Sequence, residues 1–117
     1  MTDVPAVPIS QYRAHEGLIL SAGQIGAEAD GSIPPAFERQ AELAFDALAA
    51  TLAEAGSSLA GVLKATVYLA DRADFAAMNR IYAERFAAPF PARTTIITGL
   101  ALPELLFEIE VVAAREV

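Results

Sequence analysis

The order of strand and helix patterns along the chain limits the folds that are open to it. Two stretches, 36–55 and 73–86, have apolar residues at steps of three and four, as amphipathic helices do. Five other stretches are apolar or alternating, as strands are: 11–13, 17–22, 62–69, 93–98 and 106–114. The predicted order, β-β-α-β-α-β-β, favours an α+β fold with one mixed sheet and both helices on one of its faces.

The ends of the helices carry their own signals. Pro35 stands just before the first helix and Gly56 just after it, the usual asymmetry of helix start and stop. Asp71 or Asp74 can cap the second helix, and the prolines from Pro89 onward end it. The apolar stripe of each helix is therefore interpreted as a packing surface against the sheet.

The strand at 62–69 predicts two different sheet faces. Its alternation separates an apolar set from a half-polar set: Leu63, Ala65, Val67 and Leu69 against Lys64, Thr66 and Tyr68. The apolar set is expected to meet the helices. The half-polar set suits a subunit interface or a wet cavity. Because no third helix is predicted to cover that second face, we expect another copy of the chain to cover it.

Length and composition agree with an oligomer of small subunits. A chain of 117 residues is expected to form a single domain, 1–117, and 55% of its residues are apolar. A domain of this size has much surface for its volume, so surplus apolar residues indicate burial between subunits. No run approaches the roughly 18 apolar residues that span a bilayer, so no membrane partner is expected.

Charge and cysteine content exclude several kinds of partner and chemistry. The chain has eight basic and fifteen acidic residues and a net charge of −7, which disfavours nucleic acid and anionic membranes. A local basic pocket for a small anion remains compatible with that balance. With no cysteine there is no disulfide, thiol nucleophile or thiolate metal site. The N-terminus lacks a signal-peptide pattern, so a cytoplasmic location is expected by default.

Two C-terminal strands carry the candidate chemistry. Arg93 opens one strand, and Glu108 and Glu110 lie on one side of the other, away from the helices. A guanidinium matches a carboxylate with two parallel hydrogen bonds, and a nearby glutamate can orient or deprotonate a water. Alternation alone does not say whether Arg93 faces the same way, or whether its nearest glutamate is in the same chain. The structural alternative is a buried Arg–Glu ion pair across an interface.

Other catalytic arrangements lack the residues they need. His15, the only histidine, lies in a predicted turn, and the serines therefore have no histidine partner for a triad. No His, Asp and Glu residues have metal-ligand spacing, so no metal is predicted. Gly23 to Gly26 is too short for a phosphate loop, and no helix follows it directly.

Taken together, these residues resemble the RidA family, also called YjgF/YER057c/UK114, from about Tyr12 to Ala113. The matching segments in order are Ser21–Ile25, Ala55–Leu59, Val62–Leu69, Asp74–Asn79 with Tyr82 and Phe86, Pro91–Thr94, Leu102–Pro103 and Glu108–Glu110. The resemblance implies a chorismate-mutase-like α+β fold and a homotrimer with ligand sites in clefts between subunits. It also implies an enamine/imine deaminase that hydrolyses 2-imino acids to 2-keto acids and ammonia with no cofactor.

The resemblance also assigns roles to single residues. Arg93 matches the arginine that grips the substrate carboxylate, and Glu108 matches the acid that positions the attacking water. Other matches are expected to bind substrate: Tyr12, Gly23, Asn79 and Thr95. An anchor and a placed water suit this reaction, because a protonated imine is already electrophilic.

Two departures from the family pattern keep alternatives open. Ala22 stands where many members have a serine hydroxyl, and Thr95 stands where many have cysteine. Loss of the hydroxyl favours a second hypothesis, a non-catalytic trimer whose clefts bind a small carboxylate as a sensor or partner switch. A third, RNA cleavage, comes from older family names. The acidic balance and the lone His15 argue against it.

Overall fold

The computed structural model describes residues 7–116 and has the predicted α+β order of elements. The strands and helices are β1 Tyr12–His15, β2 Leu18–Ser21, α1 Phe37–Glu54, β3 Val62–Leu69, α2 Phe75–Arg85, β4 Ala92–Ile97 and β5 Phe107–Ala114. Short 3-10 turns precede β3 and α2. No helix in the described part of the chain is long and apolar enough to cross a membrane.

The five strands form one mixed sheet in the order β1-β2-β5-β3-β4. β3 and β4 are parallel, and the other neighbours are antiparallel. β1 and β4 are therefore the two edges of the sheet, and β4 carries Arg93. The predicted mixed sheet is confirmed.

Both helices pack on one face of this sheet, as predicted. Phe45 and Leu48 of α1, Met78 of α2, and Phe107 and Ile109 of β5 are fully buried there. The rings of Phe45 and Phe107 lie 5.9 Å apart between their centres. The alternation of β5 thus places Phe107, Ile109 and Val111 in the core and Glu108 and Glu110 on the other face.

The predicted inward orientation of Leu63 is wrong. The register between β3 and β5 shifts between Val62 and Lys64, where an extra residue interrupts the regular pairing. Such a bulge breaks the alternation of side chains. Val62, 6% exposed, takes the inward place, and Leu63 is 53% exposed.

The start of α2 also differs from the prediction, because a 3-10 turn at Arg72–Asp74 precedes it. The Asp71 carboxylate accepts a hydrogen bond of 2.9 Å from the Ala73 amide and so caps this turn. Asp74 makes no capping bond with its side chain. The helix therefore begins at Phe75, two residues later than the apolar pattern indicated.

A fully buried glutamine of α1 forms hydrogen bonds with the loop before α1 and with the loop before β5. The Gln40 amide nitrogen donates to the carbonyls of Pro34 and Glu104 at 2.8 and 2.9 Å. Its oxygen accepts 2.8 Å from the Leu106 amide, directly before β5. Gly26 packs so closely that an added Cβ would lie 2.0 Å from the Gln40 carbonyl oxygen. These contacts fix the approach of the chain to β5, and with it the position of Glu108.

Candidate functional site

Arg93 lies on the helix-facing side of the sheet, at its β4 edge. In the parallel register of β3 and β4, Arg93 is the partner of Ala65 and Thr95 is the partner of Val67. Ala65 and Val67 are fully buried beneath the helices. Side chains of paired residues project from the same face of a sheet. Arg93 and Thr95 therefore project toward α2, a direction that alternation alone left open.

The guanidinium of Arg93 is held by aromatic rings. Its central carbon lies 4.8 Å from the ring centre of Tyr82 and 5.9 Å from that of Phe75. One terminal nitrogen lies 3.7 Å from the sulfur of Met78. None of the ion pairs formed within residues 7–116 includes Arg93. The result is a half-buried cation, oriented by cation–π contacts, without a carboxylate partner among residues 7–116.

A cavity of about 410 Å³ opens beside this cation. Its lining residues are Asn79, Tyr82, Ala83, Phe90, Pro91 and Arg93. The cavity thus brings together two of the residues predicted as a site, Arg93 and Asn79. The Tyr82 hydroxyl is buried without a hydrogen-bond partner. Burial raises the pKa of Tyr82, and the charge of Arg93 acts in the opposite direction.

Thr95 lines a second cavity, of about 270 Å³, with Arg72, Phe75 and Ile97. The ring centre of Phe75 lies 5.9 Å from the Arg93 guanidinium carbon, and Thr95 is the next residue after Arg93 on the same face of β4, so the two cavities are neighbours. Arg93, Asn79 and Thr95 therefore lie in one region between β4 and α2.

Glu108 lies on the opposite face of the sheet. It pairs with Tyr68 of β3, whose side chain points away from the helices. The Glu108 carboxylate packs against Gly23, where an added Cβ would lie 2.0 Å from its Oε2 atom. Burial raises the pKa of Glu108, and the charge of Glu110 raises it further. Gly23 and Glu108, both predicted as site residues, thus lie in contact, but Arg93 is not beside them.

The face that carries Glu108 is half-polar, as the alternation of β3 predicted. Its ordered polar contacts include a hydrogen bond from Tyr68 to Glu110, which raises the pKa of Tyr68. Lys64 donates to the Thr94 hydroxyl at 2.7 Å. Apolar side chains on the same face are left open in the single chain: Leu18 is 41%, Leu20 49% and Ile96 38% exposed. We call this surface, formed by the outward residues of β2, β3, β4 and β5, the open face.

One subunit does not bring all the predicted site residues together. Arg93 and Glu108 are two strands and three positions apart, which separates their Cα atoms by about 14 Å before their side chains diverge. Tyr12 pairs with Ser21 on the helix-facing side, but at the β1 edge, about 19 Å across the sheet from β4. A small ligand therefore cannot contact all of these residues within one copy of the chain.

The sequence pattern did not single out three residues of this region, Arg72, Phe75 and Tyr82, as ligand-contacting. Phe75 and Tyr82 are seven residues apart on α2 and so share a helix face. The same spacing is found for residues that pack in a core and for residues that line a binding site, so it does not distinguish the two roles. The residues of this region that were singled out from the sequence are Arg93, Asn79 and Thr95.

Comparison with known proteins gives a consistent result. A family model described as endoribonuclease L-PSP matches residues 2–115. Protein mmf2, mitochondrial, of Schizosaccharomyces pombe is 38% identical over 92% of this chain and 88% of its own length. Reactive Intermediate Deaminase A, chloroplastic, of Arabidopsis thaliana is 33% identical over 91% of this chain and 58% of its own longer sequence. The crystal structure of RidA from an Antarctic Psychrobacter matches with a TM-score of 0.85 and 30% identity, covering 95% of this chain and 91% of that one.

Proposed function

Because the chain belongs to the RidA family, whose model carries the description endoribonuclease L-PSP, we propose that it is a cofactor-free enamine/imine deaminase. In this proposal it hydrolyses reactive 2-imino acids to 2-keto acids and ammonia. The name of the Arabidopsis relative supports a deaminase-like role for the family. Beyond a deaminase-like role, the proposal specifies a reaction and the residues that carry it out.

The observation that carries the proposal is the unpaired, half-buried guanidinium of Arg93 beside a cavity of about 410 Å³. Removing a cation from water without a counterion is costly, so such a group marks a place where an anion binds. The planar fork of arginine binds a carboxylate through two parallel hydrogen bonds. A 2-imino acid supplies that carboxylate next to its reactive carbon.

The reaction then requires a placed water and little else. Bound through its carboxylate to Arg93, the protonated imine presents an electrophilic carbon, and Glu108 of a neighbouring copy accepts a proton from the water that attacks it. The new C–O bond gives a tetrahedral amino alcohol. Glu108 returns the proton to nitrogen, the C–N bond breaks, and ammonia leaves. The hydroxyl oxygen forms the carbonyl of the keto acid and gives its proton to Glu108. Because the raised pKa of Glu108 makes it a stronger base, it suits this role.

We further propose that the working form is a homotrimer with its sites in clefts between subunits. The open face exposes Leu18, Leu20 and Ile96, and β4 leaves one edge of its backbone unpaired in the single chain. Proteins cover such edges and faces, often with another copy. A neighbouring copy is also the source of the Glu108 that Arg93 lacks. These features support assembly, and the trimer number comes from the family resemblance.

The direct test of the proposed function is competition for a freshly made imine. An amino acid oxidase generates 2-iminopropanoate or larger imines while semicarbazide traps them, and an active deaminase lowers the semicarbazone signal. We expect the wild-type chain to suppress the signal at catalytic concentrations. No suppression with any imine, from a folded oligomer, would refute the deaminase proposal.

Substitution of Gly23 by alanine tests the role of Glu108 through its position. The new Cβ needs the space that the Glu108 carboxylate occupies, and that flexible side chain is what moves. We expect kcat/KM for imine hydrolysis to fall about tenfold or more, since a misplaced catalytic group of this kind costs up to about a hundredfold. Thermal unfolding should change little.

The matched control for this substitution is Gly99→Ala. An added Cβ at Gly99 meets no atom within 4 Å, so its activity should stay at the wild-type level. Equal activity in both variants would contradict the assignment of Glu108 to the reaction.

One observation favours a second candidate function, a non-catalytic carboxylate sensor. Ala22, beside Gly23, offers no hydroxyl at the place where many family members have serine. Such a sensor would be stabilised by 2-keto acids and would turn over no imine. The competition assay separates the two functions.

RNA cleavage and location are the remaining open expectations. The description of the family model names an endoribonuclease, but the net charge of −7 gives RNA phosphates little to bind. The cytoplasmic location stays a prediction, because two relatives are named mitochondrial and chloroplastic.

A further inference from the structure

The cavity beside the Arg93 anchor has a second cation in its wall. Arg72 lines it together with Phe75, Thr95 and Ile97, and its volume is about 270 Å³. The ring of Phe75 lies 5.9 Å from the Arg93 guanidinium carbon. The cavity therefore lies next to the place where Arg93 is positioned to bind a carboxylate, with the ring of Phe75 between them.

Arg72 is exposed in the 3-10 turn that precedes α2. None of the ion pairs formed between residues 7 and 116 includes Arg72. The adjacent Asp71 carboxylate accepts a hydrogen bond from the Ala73 amide at 2.9 Å. Arg72 and Arg93 are thus two arginines in neighbouring cavities that form no ion pair with residues 7–116. Two cations attract a ligand with two negative groups more strongly than either cation alone.

The walls between the two arginines are mainly apolar. Thr95 and Ile97 follow Arg93 on the same face of β4, at about 6.6 and 13 Å along the strand. With Phe75 they form a surface that suits methylene groups. The apolar surface of Phe75, Thr95 and Ile97 therefore lies between Arg93, which lines the neighbouring cavity, and Arg72, which lines this one.

We propose that this cavity takes the side chain of a dicarboxylic 2-imino acid. The carboxylate next to the imine binds Arg93, the methylene groups pack on Phe75, and the distal carboxylate pairs with Arg72. The inference rests on the proposed function of the Arg93 site and narrows its substrates to compounds with a second negative group. The chemistry at the imine carbon is unchanged.

The test compares 2-iminoglutarate with 2-iminobutanoate, each generated by an amino acid oxidase, in the wild type, Arg72→Leu and Arg72→Lys. We expect the ratio of kcat/KM for the dicarboxylic over the neutral imine to fall about tenfold in Arg72→Leu, the scale of one charge-assisted hydrogen bond. Arg72→Lys should keep most of that ratio. Arg80→Leu, on an exposed part of α2, is the matched control and should keep it fully. An unchanged ratio in Arg72→Leu, or equal losses for both imines, would overturn the inference.

A binding measurement separates failure of this inference from failure of the proposed function. Calorimetric titration with 2-oxoglutarate and 2-oxobutanoate requires no turnover. If the wild type hydrolyses neither imine, the deaminase proposal fails. The Arg72 subsite still stands if 2-oxoglutarate binds more tightly than 2-oxobutanoate and Arg72→Leu abolishes the difference. If the wild type bound 2-oxoglutarate and 2-oxobutanoate with equal affinity, the Arg72 subsite would be refuted as well.

Discussion

Arg93→Ala is expected to lower kcat/KM for 2-imino acids by about 10² to 10⁴-fold, because it removes both hydrogen bonds to the substrate carboxylate. Each such bond to a charged group is worth about 1.5–3 kcal/mol. The fold should survive, since Arg93 is half-buried at an edge strand and forms no ion pair with any described residue. The imine competition assay measures the loss, and circular dichroism checks the fold.

Two further variants make the result specific to the guanidinium fork. Arg93→Lys keeps the charge and loses the planar pair of donors, so its activity should fall between that of the wild type and that of Arg93→Ala. Arg80→Ala removes an exposed arginine whose partner is Glu84 at 3.4 Å, and it should behave as wild type. Wild-type rates in Arg93→Ala would exclude Arg93 as the anchor.

Mixing two inactive variants is expected to restore activity. Arg93→Ala and Glu108→Gln each remove one half of the proposed cleft, from opposite faces of the sheet. If the two groups in one cleft come from different subunits, a trimer assembled from both variants contains some clefts with both native groups. After unfolding and refolding an equal mixture, about a quarter of the clefts should be intact, with about a quarter of the wild-type activity.

The outcome distinguishes two arrangements of the site. Each variant refolded alone is the control and should stay inactive. If Arg93 and Glu108 of the same chain served one cleft, no mixture would contain an intact site. A mixture as inactive as its components would therefore refute the shared cleft, provided that native mass spectrometry shows mixed oligomers.

The sequence predicted the fold well where periodicity extended over many residues. The eighteen residues of α1 carry a sustained apolar stripe, and β5 alternates without interruption, so both were predicted within about one residue. The errors are local, and one of them is at His15, which was predicted to lie in a turn but belongs to β1. At Leu63, a single bulge places the side chain on the face opposite to the expected one. Before α2, the residues of the Asp71-capped turn have a composition that also fits a helix, so the helix was predicted to begin too early.

The site was less predictable because orientation depends on register. Alternation shows which residues share a face within one strand but does not relate the faces of two strands. The pairing of Arg93 with Ala65, and of Glu108 with Tyr68, decides that they diverge. The grouping of Asn79 with Arg93 and of Gly23 with Glu108 needs three-dimensional contacts between distant segments. The roles of Tyr12, Gly23, Asn79 and Thr95 in binding stay predictions.

In the proposed shared cleft, the separation of Arg93 from Glu108 by the sheet is expected to make catalysis dependent on protein concentration. In the proposed cleft, a dissociated chain holds two half-sites and no complete one, so specific activity should decline on dilution below the dissociation constant of the assembly. A ligand that bridges both halves binds only the associated form and stabilises it by mass action. Through this linkage, accumulation of the reactive imine would itself favour the oligomer that removes it.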